Sequence, residues 1–322
     1  MDHRALLVGS LLFAACYKDP GATRTGPRSP DNAVAVKGPD YSATLADPVG
    51  FLPVDSELVL ALDVDSLRKS PLWPQLAGKL SQATGPALRQ FQEACGFDPM
   101  TTIHAITIGF KNLKQETPDG VIVVSGLDRP KLMGCIGKVK PKPGSTESVV
   151  VDGDVILATS SNGGKSAFAF VDASTIVGAI GANVGKPQLM AVLSAGAPLH
   201  TSPAFAELLK LTDLEASLWT VMNGSSSIFD QATGALGMRP KAVFGSVNLT
   251  AGLTMNVRMR LDSAAQAQQL QQMVSGQIGM ARAMFDKLDI TTDNADLVVT
   301  LAMTEQQLNN IMQMVLGAVG GP

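Results

Sequence analysis

The sequence predicts an α+β protein of two tandem, divergent modules, with largely antiparallel sheets and helices packed on one face. Three observations lead there. Alternating apolar segments come in pairs joined by short polar turns, such as the Asp152-Gly153 turn, which is how antiparallel neighbours connect. Segments with a 3.6-residue apolar period stand between those pairs, opened by a capping residue or a proline. The order strand, helix, two strands, helix, two strands, closing helix is also run through twice. Hairpins with interspersed helices bury one sheet face beneath those helices.

In chain order, Leu58, Leu60, Leu62 and Val64 alternate as a strand with one buried face. Ser70-Pro71 then predicts a helix start, with Leu72, Leu76 and Leu80 inside it and Leu88 and Phe91 beyond a break at Gly85-Pro86. Strands at 103–110 and 121–127 are joined by a turn through Thr117-Pro118-Asp119-Gly120, and a short helix follows over 130–137. Residues 148–159 read as a hairpin, 167–180 as another, and 188–193 as a helix. In the second half, Ser202-Pro203 echoes Ser70-Pro71 but stands before its strand, at 218–222. A helix over 226–236, strands at 242–249 and 253–261, and a helix capped by Ser263 and Gln266 follow. That helix carries a stripe of Leu270, Val274, Ile278, Ala281 and Phe285. A hairpin over 288–300 and a last helix capped by Thr304 and Gln307 complete the chain. If one module is used twice, the strand ending at Asp63 matches the one ending at Met222-Asn223. The 103–110 and 121–127 strands then match 242–249 and 253–261, and the hairpin at 167–180 is the first half's addition.

Composition narrows the function classes. A chain of 322 residues with 45% hydrophobic residues folds rather than staying disordered. A net charge of −3 gives no field for nucleic acid, and 5% aromatics leaves few stacking platforms. The 14 methionines fill core gaps or line a lipophilic pocket.

The N-terminus carries an export signal. Arg4 is followed by an unbroken small and apolar run, Ala5 to Ala15, too short to span a bilayer but of signal-peptide length. It ends Leu12-Phe13-Ala14-Ala15-Cys16, which resembles the lipobox of bacterial prolipoproteins, with Phe13 where that family most often has leucine. The resemblance implies cleavage before Cys16 by signal peptidase II and lipid on that cysteine. Tyr17, rather than aspartate, next to it points to the outer membrane rather than the inner one. Residues 17–50 are rich in Pro, Gly, Ser and Thr, and as a flexible tether they span roughly 30–35 Å. The expected organisation is therefore a signal peptide (1–15), lipidated cysteine and tether (16–50), a first module (51–199) and a second (200–322). The body resembles uncharacterised bacterial envelope proteins with duplicated α+β modules, which implies no functional residue.

Three local patterns invite a chemical reading. Ser161-Asn162-Gly163-Gly164-Lys165-Ser166 has the look of a phosphate-binding loop, but Thr159 stands where the first glycine belongs and a strand follows instead of a helix. Leu60-Ala61-Leu62-Asp63-Val64-Asp65 resembles the first motif of haloacid-dehalogenase-type phosphatases. That resemblance implies a nucleophilic Asp63, an acid/base Asp65, magnesium, and a parallel sheet. Ser125, Asp152 and Asp154 are the further groups such a site would draw on. Arg129, Lys131, Lys138, Lys140 and Lys142 form a basic loop suited to solvent or to anionic lipid and cell-wall polymers. Of the histidines, His3 leaves with the signal peptide, His104 reads as a strand-end residue with a backbone partner, and His200 has no companion. No metal, cofactor or nucleophile spacing is present.

With Cys16 acylated, Cys95 and Cys135 are the remaining thiols, and export to an oxidising compartment makes them a disulfide pair closing about 40 residues. The sequence thus points to a lipid-anchored envelope protein acting by binding or structural interaction, not catalysis. Its partners are the membrane and an envelope protein or lipophilic ligand. The alternatives are a carrier holding a lipophilic molecule between Met-rich helices and a curved sheet, and an aspartate-based, magnesium-dependent phosphatase.

Overall fold

The computed structural model describes residues 41, 47–139, 146–195, 199–278, 282 and 285–311. The expectations for the signal peptide, Cys16, nearly all of the tether, Lys140 and Lys142 lie outside the described residues, as do those for the side chain of His200.

The first half contains β1 (Leu58–Asp63), α1 (Val64–Lys69), α2 (Trp73–Cys95), α3 (Pro99–Thr102), β2 (Ala105–Lys111) and β3 (Asp119–Ser125). It continues with α4 (Arg129–Cys135), β4 (Ser148–Asp152), β5 (Val155–Thr159), β6 (Lys165–Phe170), β7 (Thr175–Gly181) and α5 (Lys186–Ser194). The second half contains α6 (Pro203–Lys210), β8 (Leu218–Asn223), α7 (Ile228–Leu236), β9 (Ala242–Asn248) and β10 (Leu253–Arg260). After these come α8 (Ala264–Gln277), β11 (Lys287–Asp293), β12 (Asp296–Met303) and a helix over 305–311. The chain is α+β, as its hairpins foretold.

All the strands join one 12-stranded sheet in the order β11-β12-β10-β9-β8-β1-β2-β3-β7-β6-β5-β4, and each neighbouring pair is antiparallel. The halves meet at β1 and β8, where Leu58 faces Met222, Leu60 faces Thr220 and Leu62 faces Leu218. A pseudo-twofold axis through Leu60 and Thr220 follows from that register. Carried outward strand by strand, it matches β2 with β9, β3 with β10, β7 with β12 and β6 with β11. It even matches caps: Asp128 accepts from the Lys131 amide before α4, and its equivalent Ser263 accepts from the Gln266 amide before α8. The first half's addition is therefore the outer β4–β5 hairpin. The 165–181 hairpin, expected to be the extra one, is the counterpart of β11–β12.

Helices cover both faces of the sheet rather than one. On one face Ile108, Ile122, Val124, Phe168 and Ile176 pack under Phe91 of α2 and Leu132 and Cys135 of α4. On the other, Val59, Val121, Val123, Trp219, Val221 and Phe244 pack under Val49, Phe51 and Leu52 and under Phe205, Leu208 and Leu209 of α6. The reason is visible in β3 and β7. Val121-Ile122-Val123-Val124 is a continuous apolar run, and all of β7 is buried, so neither strand has a wet side. Gly178 keeps β7 close to its neighbour, since a Cβ there would meet the Phe168 ring at 2.3 Å.

Two helix boundaries also differ from expectation. Ser70 ends α1, with its amide bonding to the Leu67 carbonyl, and α2 begins at Trp73 and runs through Gly85-Pro86 without a break. Proline removes a single ladder bond, and neighbouring turns hold the helix together. α8 stops at Gln277, and Ala281 of the expected stripe lies outside the described residues.

Candidate functional site

On the face where Val121 and Val123 are roofed over in the first half, the second half is partly uncovered among the described residues. The chain preceding β8 forms α6, which packs through Phe205, Leu208 and Leu209 over the middle of the sheet. Beyond it Thr254, Asn256, Asp289 and Thr291 are exposed. The sequence follows that exposure at symmetry-equivalent positions. Val121 becomes Asn256, Val123 becomes Arg258, Ala179 becomes Thr300 and Ala167 becomes Asp289. An open cleft of about 370 Å³ lies there, bordered by Ser246, Asn248, Thr254, Asn256, Arg258 and Thr300, with Asp213 on its rim.

A charged cluster forms the floor beside it. The Arg260 guanidinium donates to both oxygens of Asp296, at 2.8 Å from Nε and 3.1 Å from Nη2, and stacks 5.5 Å from the Phe244 ring centroid. Arg258 donates to Asp293 at 2.8 Å and approaches Asp296 at 3.5 Å. The side chain of Asp296 is only 5% exposed, so both guanidiniums stabilise a nearly buried carboxylate. The hydrogen bonds to Asp296 hold the Arg260 pKa above its ordinary value, against the opposing effect of burial. The equivalent positions in the first half are Thr107, Ser125 and Thr175, in place of Phe244, Arg260 and Asp296. There the smaller side chains leave a pocket of about 110 Å³ beside Pro48 and Phe51. No motif in the sequence marks the arginine–aspartate cluster. The available signal is the polar alternation of β10, Thr254, Asn256, Arg258 and Arg260, set against the apolar run of β3.

The aspartates singled out in the sequence have local partners. Asp63 ends β1 and its side chain accepts from the Ser66 amide at 2.9 Å. Asp65, in α1, bonds to Arg68 and to His104 Nδ1, the latter at 2.8 Å. Burial acts to raise the Asp65 pKa, but the hydrogen bonds from His104 and Arg68 outweigh it and leave the carboxyl below its ordinary value. His104 thus has a carboxylate as its side-chain partner, not the backbone partner expected. Asp152 and Asp154 lie on the far β4–β5 hairpin, paired with Lys186 and Arg129. They do not meet Asp63 or Asp65, and the sheet is antiparallel throughout, unlike that of the phosphatases resembled.

Ser160 to Gly164 is a turn between β5 and β6, closed by the Ser160 amide donating to the Gly164 carbonyl, and Lys165 opens β6. Among the basic loop residues, Arg129 and Lys131 pair with Asp154 and Asp128. Cys95 and Cys135, at the ends of α2 and α4, are joined in a disulfide with Cα atoms 4.9 Å apart. Among the described residues no cluster of three metal-type side chains forms, and no helix is long and apolar enough to cross a membrane.

No family model and no curated protein matches this chain. Solved structures do. Crystal form III of a protein called TP0453 aligns with a TM-score of 0.50 at 8% identity, over 83% of this chain and 97% of that one. Crystal form IV aligns with a TM-score of 0.48 at 8% identity, over 84% and 99%. At that identity the first of these likenesses is one of fold alone: a large antiparallel sheet with helices.

Proposed function

We propose that this chain is a lipid-anchored envelope protein, carried on the outer membrane, that works by binding or structural interaction and not by catalysis. One observation carries the binding part: Val121, Val123, Ala167 and Ala179, apolar and covered in the first half, have the polar counterparts Asn256, Arg258, Asp289 and Thr300, of which Asn256 and Asp289 are exposed among the described residues, while Val177 keeps a buried apolar counterpart in Val298. The nearly buried Asp296, held between Arg258 and Arg260, adds to this polar face at a place where a packed apolar replacement is often equally stable. The anchor rests on the run ending at Cys16.

A photo-reactive amino acid at Asn256 or Thr291 of the full lipoprotein in intact envelopes tests this. Adducts are expected there and not at exposed Lys69. No adducts, or the same yield at Lys69, overturns the reading.

A second reading, the lipophilic carrier, is favoured by the opposite face. There Leu58 and Leu60 of β1, Met222 of β8, Met255 of β10 and Leu301 and Met303 of β12 are only half-buried. Native mass spectrometry of the exported protein is expected to find a co-purifying lipid if this face holds one. A ligand-free mass sets the carrier aside.

A further inference from the structure

We infer that the bare cleft of the second half takes a polypeptide segment of polar, net basic composition from a partner protein, lying as Pro48–Leu52 lies in the first half. The inference rests on the binding reading above and names the class of partner. Its first support is the molecule's own symmetry. In the first half, the side chains of the segment preceding β1 pack onto β2 and β3, so that a Cβ on Gly109 would meet Ser56 Oγ at 2.9 Å and Leu52 Cβ at 3.2 Å. Phe51 reaches on toward Thr107 and Val123. The same register in the second half puts Ser246 at the position of Gly109 and Arg258 at that of Val123, and among the described residues no counterpart of Pro48–Leu52 crosses them, Leu211 and Asp213 bordering the cleft instead. This sheet therefore already holds one polypeptide segment at this place, and among the described residues its second copy of the place is open.

The side chains define the segment's chemistry. Ser246, Thr254, Asn256 and Thr300 each carry both a donor and an acceptor, as a peptide backbone with unpaired N–H and C=O groups requires, while the Asn248 oxygen already accepts from Ser217 and Thr250. Leu211 on the rim offers one apolar contact, far less than the seat that Val49-Gly50-Phe51-Leu52 has in the first half. Charge sets the sign. Arg258 and Arg260 are already engaged, and around them stand Asp213, Asp293, Asp296 and Glu207, two guanidiniums against four carboxylates. The surplus is negative, which favours lysine or arginine in the partner. A glycan lacks the aromatic platform it stacks on, because Phe244 is fully buried beneath Arg260.

The test pans a phage-displayed random dodecapeptide library against the full chain, with Asn256→Trp and Thr254→Trp as counter-selection. Both residues are exposed, so either variant blocks the cleft without disturbing the core. Enriched peptides are expected to be polar and rich in lysine or arginine, and to bind either variant at least tenfold more weakly. Asp213→Lys should weaken them about tenfold as well. Enrichment equal on the blocked variants, or an acidic or apolar consensus, overturns the inference. The Asn256 photo-adduct separates this failure from that of the binding reading. An adduct resistant to protease but sensitive to glycosidase leaves binding standing and removes the polypeptide, whereas no adduct removes both.

Discussion

Asp63 and Asn223 stand at the same place in the two halves, each closing its central strand and accepting a backbone N–H from the turn beyond. The donors are the amides of Ser66 and Ser225, both at 2.9 Å. A carboxylate and an amide oxygen serve equally well there. Asp63→Asn should therefore change stability by less than about 0.5 kcal/mol, while Asp63→Ala costs roughly 1 kcal/mol. Asn223→Ala should cost more, about 2 kcal/mol, because the Asn223 amide also donates to the buried Ser56 carbonyl at 2.6 Å. Urea unfolding measures all three, and an Asp63→Asn variant as weak as Asp63→Ala removes the shared capping role.

Asp65 links stability to acid. Its pKa in the folded protein lies below the ordinary 3.8, so the unfolded chain takes up the proton first as pH falls. The stabilisation from His104 and Arg68 is present above the ordinary carboxylate range and is lost as pH drops through the lowered value. Urea midpoints of the protein and of Asp65→Asn should differ at pH 5 and converge as the pH falls below about 4. A gap that persists at pH 2 contradicts this.

The cluster at Asp296 is expected to respond asymmetrically. Asp296→Ala leaves two guanidiniums without their shared carboxylate and should cost about 3 kcal/mol. Replacing the cluster by its first-half equivalents, in the triple variant Arg258→Val, Arg260→Ser and Asp296→Thr, should recover most of that loss. Calorimetric unfolding reads both variants; a triple variant weaker than Asp296→Ala shows that the charges are needed for folding itself.

The disulfide joins the far end of the 23-residue α2 to α4. Closing 40 residues, it should stabilise by roughly 3–4 kcal/mol in the chain-entropy model. The paired Cys95→Ser, Cys135→Ser variant should unfold at correspondingly lower urea. Alkylation of the exported, unreduced protein should find neither thiol free; two alkylated cysteines refute the bond in the cell.

Cys16 should take up labelled palmitate in a bacterial host, and Cys16→Ser should abolish both labelling and membrane fractionation. Each buried acyl CH₂ adds about 0.8 kcal/mol, so a multiply acylated terminus does not leave the bilayer. Unchanged labelling in the variant excludes the anchor.

The sequence by itself determined what is local. Alternation at 58–62 and the caps at Ser263 and Thr304 act over a few residues and appear where the pattern put them, and the hairpin turns expected at Asp152-Gly153 and Asp293-Asn294 form one residue later, at Gly153-Asp154 and Asn294-Ala295. The repeated order of elements was legible for the same reason. Tertiary structure alone decided which strands became neighbours across the chain. The pairing of Leu60 with Thr220 joins residues 160 apart, and no local period encodes it. That pairing identified β4–β5 as the added hairpin. Coverage of the faces was likewise decided at long range. Asn256 and Val121 sit on equivalent strands, and the segments that pack over the first half, Val49 to Leu52 and Leu199 among them, bury Val121 and leave its counterpart exposed. Burial depends on what arrives from elsewhere in the chain, so the cleft beside Arg258 became visible only when the whole sheet was assembled.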